Sequence, residues 1–120
     1  MRVIQKDSKI VIELDEPQDR VYTNILVSAL RIYADRKSQR GGGWRRYGAM
    51  GAAFFVKDRS NRIWDALQAN GKFMEEDAVD IINYAAFALI SQDEGNLGGE
   101  FWPDRPVAQP PGEDELTTYG

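Results

Sequence analysis

Apolar and polar positions alternate with a period near two at the start of this chain and near three and a half afterwards. Residues 2–14 predict a β-hairpin: Arg2–Gln5 is short and rich in β-branched residues, Lys6–Lys9 is a polar turn, and Ile10–Leu14 is a second strand. Asp15-Glu16-Pro17-Gln18-Asp19 carries acids and a proline where a helix would begin. A first helix is expected over about Gln18–Ser38, with Tyr22, Ile25, Leu26, Ala29, Leu30 and Tyr33 on one buried stripe. A second is expected over about Phe54–Ala69, with Phe55, Ile63, Trp64 and Leu67 inward and Asn70-Gly71 as its stop; the small residues of Ala49–Phe55 before it suit either a helix start or an extended piece that packs closely. The third runs from Met74 or Glu75 to Ser91, with Ala78, Ile82, Ala85, Ala86, Leu89 and Ile90 as its apolar face. Gly, Pro and acid dominate after Gln92, which predicts an irregular C-terminal tail. The expected class is α+β and mainly helical: a short N-terminal antiparallel hairpin, two or three antiparallel helices, then the tail. Residues 1–14, 15–91 and 92–120 form these three parts of one domain, and no internal repeat is visible.

Composition narrows the chemistry. The chain has 120 residues, no Cys and no His, so thiolate chemistry, disulfides and the commonest general base are excluded. Catalysis would have to run on carboxylates, Lys, Tyr or Ser, with a hard cation such as Mg²⁺ held by oxygen ligands. No apolar run approaches a membrane span, and the N-terminus turns polar too early for a signal peptide, so a cytoplasmic protein with no membrane partner is expected.

Charge is unevenly spread. Residues 31–62 hold nine Lys or Arg against two acids, a balance of +7, while residues 75–115 hold eleven acids against Arg105, a balance of −10. The formal net charge of −4 argues against a partner as large as a long nucleic acid. The basic block can attract a small anion, or dock on the acidic segment of another copy.

That basic block contains Gly41-Gly42-Gly43-Trp44-Arg45-Arg46-Tyr47-Gly48. Glycines let a backbone approach closely, guanidinium forks suit phosphate, and Trp44 and Tyr47 offer flat faces to a base. A nucleotide-receiving loop and a plain connector with solvated arginines are both compatible with it. Arg59 and Arg62, about a turn apart on the second helix, would complete a set of four guanidinium groups with Arg45 and Arg46. Asn83 sits beside the apolar stripe of the third helix, where its amide can read a base edge or bond a neighbouring loop. Phe73 at that helix's entrance can stack on a ligand or act as a hydrophobic staple. Arg105, between Trp102 and Pro106, is a candidate lid. Glu76, Asp77 and Asp80 share a helical face and form the candidate Mg²⁺ site, although no second acidic pair faces them from another helix.

Two resemblances rest on these residues. The run from Tyr47-Gly48 through Lys57-Asp58-Arg59-Ser60-Asn61-Arg62 to Asp77-x-x-Asp80-x-x-Asn83-Tyr84 resembles the phage nucleotide-modification-associated domains. These sit near the all-α nucleoside-triphosphate pyrophosphohydrolases of the MazG kind. It covers about half the chain and implies an Mg²⁺-dependent enzyme, but the paired acids of the first helix are missing. The layout of hairpin and helices, with the Phe73–Asn83 spacing, is similar to the first family of phage Thoeris anti-defence proteins. That resemblance implies a non-enzymatic, cofactor-free sponge, a homodimer or homohexamer in the cytoplasm of the infected bacterial host. It would hold an immune signal, a cyclic ADP-ribose isomer, and in some members cyclic oligonucleotides of the CBASS system. It further implies that Phe73 stacks on the ligand, that Asn83 hydrogen-bonds it and that Arg105 closes the pocket, with Arg59 at a second site.

Overall fold

The computed structural model describes residues 1–40 and 42–101. It contains a two-stranded antiparallel sheet, β1 (Arg2–Lys6) and β2 (Lys9–Glu13), followed by α1 (Pro17–Arg40), a 3₁₀ turn (Gly43–Arg46), α2 (Gly48–Asn70) and α3 (Glu75–Asp93). The expected class, hairpin first and helices after, is therefore the observed one, with three helices. The predicted tail is irregular from Glu94 to Phe101, and its remainder lies outside the described residues.

The strands pair in register from Arg2 opposite Glu13 to Lys6 opposite Lys9. Asp7 takes the left-handed conformation in the two-residue turn (φ 50°), which a short polar side chain tolerates. The hairpin is tied to the first helix at one point. The Met1 ammonium group pairs with Asp15 at 2.6 Å and with Asp19 at 3.5 Å, and the Thr23 hydroxyl lies 3.7 Å from the Met1 sulfur. Beyond that tie it scarcely touches the helices.

Helix α1 begins at Pro17, where the missing N–H costs nothing. Helix α2 begins six residues earlier than the pattern of large apolar residues implies, at Gly48. Its first turn is built from small residues because it packs closely; Gly51 and Ala52 are buried there. No side chain caps that end. Instead the Ala49 and Met50 N–H groups donate to the carbonyls of Asn96 and Leu97, both at 2.9 Å. Gly71, left-handed at φ 69°, closes the other end by donating to the Leu67 carbonyl at 3.0 Å.

The link 71–74 returns α3 along α2. Contacts between Arg62 and Asp77, Arg59 and Asp80, and Phe55 and Tyr84 step down one helix as they step up the other, so the pair is antiparallel. Helix α1 packs on α3 and scarcely meets α2. The centre of that contact is a buried hydrogen bond from the Asn83 amide to the Ala29 carbonyl, 3.1 Å.

Helix α3 is rotated relative to the expected apolar face. Val79, Asn83, Phe87 and Ser91, each four residues apart, point inward, whereas Ala85, Ala86, Leu89 and Ile90 are exposed and Ala78 and Ile82 half-buried. The polar members explain this: Asp77 and Asp80 face arginines and Asn83 binds α1, so the face that carries them is the inner one. The other expected stripes are also only partly covered. Ala29 is buried and Tyr33 half-buried on α1, but Tyr22, Ile25, Leu26 and Leu30 are exposed; on α2, Phe55 and Ile63 are half-buried while Trp64 and Leu67 are exposed.

Because Asn83 joins α3 to α1 in a buried setting, truncating it leaves a polar backbone group short of its partner. Asn83→Ala is expected to lower stability by about 1–3 kcal/mol. Urea unfolding followed by circular dichroism should show this as a lower midpoint with an unchanged slope.

Candidate functional site

The 3₁₀ turn and the segment after α3 grip each other by their backbones. The Arg46 carbonyl accepts from Glu100 N at 2.8 Å, and the Asn96 amide donates to the Arg45 carbonyl at 2.7 Å while its oxygen accepts from Gly99 N at 2.9 Å. Two glycines permit this. Gly48 (φ 66°) and Gly99 (φ 57°) are both left-handed, and a methyl group at Gly48 would come within 2.6 Å of Gly99 N, while one at Gly99 would overlap the Arg46 carbonyl. Ion pairs from Arg45 to Glu94 (2.9 Å) and from Arg46 to Glu100 (3.1 Å) reinforce it, as does Tyr47 stacked on Phe101 (ring centres 5.1 Å apart, 9° between planes).

This interlock forms one wall of a cavity of about 490 Å³. Its lining comes from four elements: Tyr33, Arg36 and Lys37 of α1; Gly43, Trp44, Arg46 and Tyr47 of the turn; Ala52 and Phe55 of α2; Tyr84 and Phe87 of α3. Six aromatic rings and three cations line it, and among the described residues no carboxylate does. The rings brace each other. Trp44 stacks on Phe87 (4.5 Å, 8°), Phe55 on Tyr84 (4.8 Å, 22°), and Phe87 also meets Tyr33 and Tyr84 at a tilt. Such a chamber is of the size that takes a small organic ligand. Rings suit a base and cations suit a phosphate. A smaller hollow of about 350 Å³ shares Tyr47 and Phe55 with it and adds Phe54 and Phe101.

Of the residues expected from the sequence, Trp44 and Arg46 line the cavity. Arg45 turns away to Glu94 and lies 4.4 Å over the Trp44 ring, so it stiffens the wall rather than facing a ligand. Its hydrogen bonds hold the Glu94 carboxyl below the usual carboxylate range, and the guanidinium charge adds to the effect. Arg59 sits behind the cavity, 5.7 Å from the centre of the Phe55 ring and 5.8 Å from that of Tyr84. Burial opposes its charge, but the bond to Asp58 at 2.6 Å and the nearby Asp80 outweigh it and raise its pKa.

Arg62 pairs with Asp77 at 3.4 Å on α3 and does not line the cavity, so the expected set of four converging guanidinium groups does not form. Phe73 is half-buried before α3, and neither it nor Asn83 lines either hollow; the Asn83 amide is committed to Ala29. Arg105 lies outside the described residues.

The acids considered for Mg²⁺ are arranged differently from a metal cluster. Asp77 meets Arg62, Asp80 meets both Arg36 (3.6 Å) and Arg59 (3.5 Å), and Glu76 is exposed. Among the described residues no group of three or more carboxylates is placed to share an ion.

Sequence reasoning took Tyr33 for core and counted Arg36 and Lys37 within the basic block of residues 31–62. Their spacing of three and four residues puts all three on one turn of α1, as the spacing of three does for Tyr84 and Phe87 on α3. An aromatic residue followed by cations at that spacing was the available signal. No protein-family model matches the chain, and neither a curated protein nor a solved structure matches it.

Two outcomes check the interlock. Gly99→Ala should cost more than about 2 kcal/mol, read as a drop in melting temperature, since neither the backbone angle nor the space allows a methyl group. Glu94 has a lowered pKa, so its contribution is fully present above the ordinary carboxylate range and is lost as pH falls through the lowered value. Trp44 emission, followed in a Trp64→Phe/Trp102→Phe background, should shift on that acidification, and Glu94→Gln should show the shifted signal already at neutral pH.

Proposed function

We propose that this protein binds an intact nucleotide-type signal in the aromatic and basic cavity and sequesters it without cleaving it. The ligand class that fits best is a cyclic nucleotide with an adenine-like ring and a pyrophosphate or phosphodiester, such as a cyclic ADP-ribose isomer. Cyclic oligonucleotides are a wider possibility within the same chemistry. The resemblance to the Thoeris anti-defence family implies that this sponge would serve a phage in the host cytoplasm.

One observation carries this reading: six rings and three cations line the chamber, and among the described residues no carboxylate does. Two of the lining cations have carboxylate partners, Arg36 with Asp80 and Arg46 with Glu100; the Arg46 pair is a surface one that an entering anion can replace at little cost. Enclosure by prearranged side chains favours tight retention over turnover. The pyrophosphohydrolase alternative would need carboxylates grouped around Mg²⁺, and Asp77 and Asp80 are paired with arginines instead.

Incubation with a cyclic ADP-ribose isomer, a cyclic dinucleotide or a nucleoside triphosphate plus Mg²⁺, followed by gel filtration, heating and chromatography of the supernatant, tests the reading. Release of intact cyclic nucleotide is the expected result. Products that form only with Mg²⁺ would establish the enzyme instead, and no retention of any of the three would overturn nucleotide binding. Arg46→Glu should reduce retention at least tenfold, whereas Arg62→Gln, remote from the cavity lining, should leave it within about twofold.

A further inference from the structure

We propose that the smaller aromatic hollow beside the cavity is a subsite for the base of a nucleotide whose phosphates lie among the cations of the cavity. The inference rests on nucleotide binding at the cavity and goes beyond it by giving the two halves of the ligand separate places.

Local geometry puts the hollow next to the cavity. Consecutive residues lie about 100° apart around a helix, so with Phe55 stacked on Tyr84 of α3, Phe54 is turned to the flank of α2. The interlock brings Phe101 to the same hollow, one residue after the bond from Glu100 N to the Arg46 carbonyl (2.8 Å). The four lining rings form a continuous chain. Phe101 stacks on Tyr47 (5.1 Å), Tyr47 meets Phe55 edge-on (5.5 Å), and Phe55 meets Phe54 in the same way (5.8 Å). Tyr47 and Phe55 also line the cavity, so the two spaces adjoin along these residues.

Their chemistry differs. Arg36, Lys37 and Arg46 line the cavity, whereas among the described residues no charged side chain lines the hollow. A phosphate therefore finds its partners in the cavity. The cavity's rings are much taken up with one another: Trp44 and Phe87 give each other a face, Phe55 and Tyr84 do the same, and the Arg45 guanidinium lies over Trp44. In the hollow, Phe54 is 62% and Phe101 54% exposed, and among the described rings Phe54 touches Phe55 alone. A ring so exposed adds little to the fold, and a planar base laid against it removes apolar area from water on both partners. A hollow of about 350 Å³ has room for one fused ring system.

ADP and inorganic pyrophosphate are probes that differ by the adenosine. In calorimetry the full chain should bind ADP about tenfold or more tightly than pyrophosphate, and Phe54→Ala should remove most of that difference while leaving pyrophosphate within about twofold. Phe54→Tyr should retain the difference. Trp64→Ala, which truncates a 65% exposed ring of α2 outside both spaces, should alter neither affinity. Unchanged ADP binding in Phe54→Ala overturns the subsite; if Arg46→Glu still weakens both probes, binding at the cavity stands without it. Binding of neither probe overturns both. Should Phe54→Ala unfold, nuclear Overhauser contacts in the unaltered chain decide. The adenine H2 and H8 protons should contact the rings of Phe54 and Phe101, and contacts to Trp44 and Phe87 in their place would refute the assignment.

Discussion

Everything near the cavity depends on the close approach of two backbones at Gly48 and Gly99. That contact supplies the carbonyl acceptors for the first N–H groups of α2, so a helix without a side-chain cap still begins cleanly. It also fixes the turn between α1 and α2 against the end of α3, which aims Trp44 and Arg46 into the chamber. A Cβ on either glycine would push these segments apart. Two nearby ion pairs are largely exposed and contribute less than the backbone bonds they flank.

The electrostatics of α3 follow from the same economy of space. Its inner face carries Asp77, Asp80 and Asn83 where an ordinary bundle helix would carry aliphatic residues. Arg62, Arg59 and Arg36 neutralise the two carboxylates, and Asn83 bridges to the α1 backbone. Buried polar groups of this kind specify one alignment of three helices at the cost of apolar contact. That spending is visible in the Ser91 hydroxyl, fully buried without a hydrogen-bond partner, and in how few apolar side chains are buried. The aromatic cluster around Phe87 supplies much of the remaining packing, and it is also the lining of the cavity. Stability and the shape of the cavity therefore draw on the same rings.

Local signals in the chain were sufficient for the hairpin, Pro17 as the opening of α1, Gly71 as the close of α2 and Glu75 as the start of α3, because each depends on neighbours within a turn or two. They also marked the Gly-rich loop holding Trp44 and Arg46 as a candidate for the cavity wall, although the same composition suits a plain connector. Which face of α3 points inward was not legible: Ala85, Ala86, Leu89 and Ile90 make a stripe as convincing as the true one. The choice rests on arginines and a carbonyl contributed from α1 and α2. The small residues of Ala49–Phe55 left a helix start and an extended piece both open, and the choice was made by acceptors some fifty residues away at Asn96 and Leu97.

The amino-acid sequence by itself thus determined the order and kind of the elements and the concentration of cations in the middle third, both properties of short-range spacing. Tertiary structure alone decided that Tyr33, Arg36 and Lys37 would meet Trp44, Phe55, Tyr84 and Phe87 around one chamber, and that Asn83 and Arg62 would be spent on holding helices together. Such convergence depends on how far each helix is rotated about its axis. That rotation is set by long-range pairing of backbone and charge, to which periodicity along a single helix is blind.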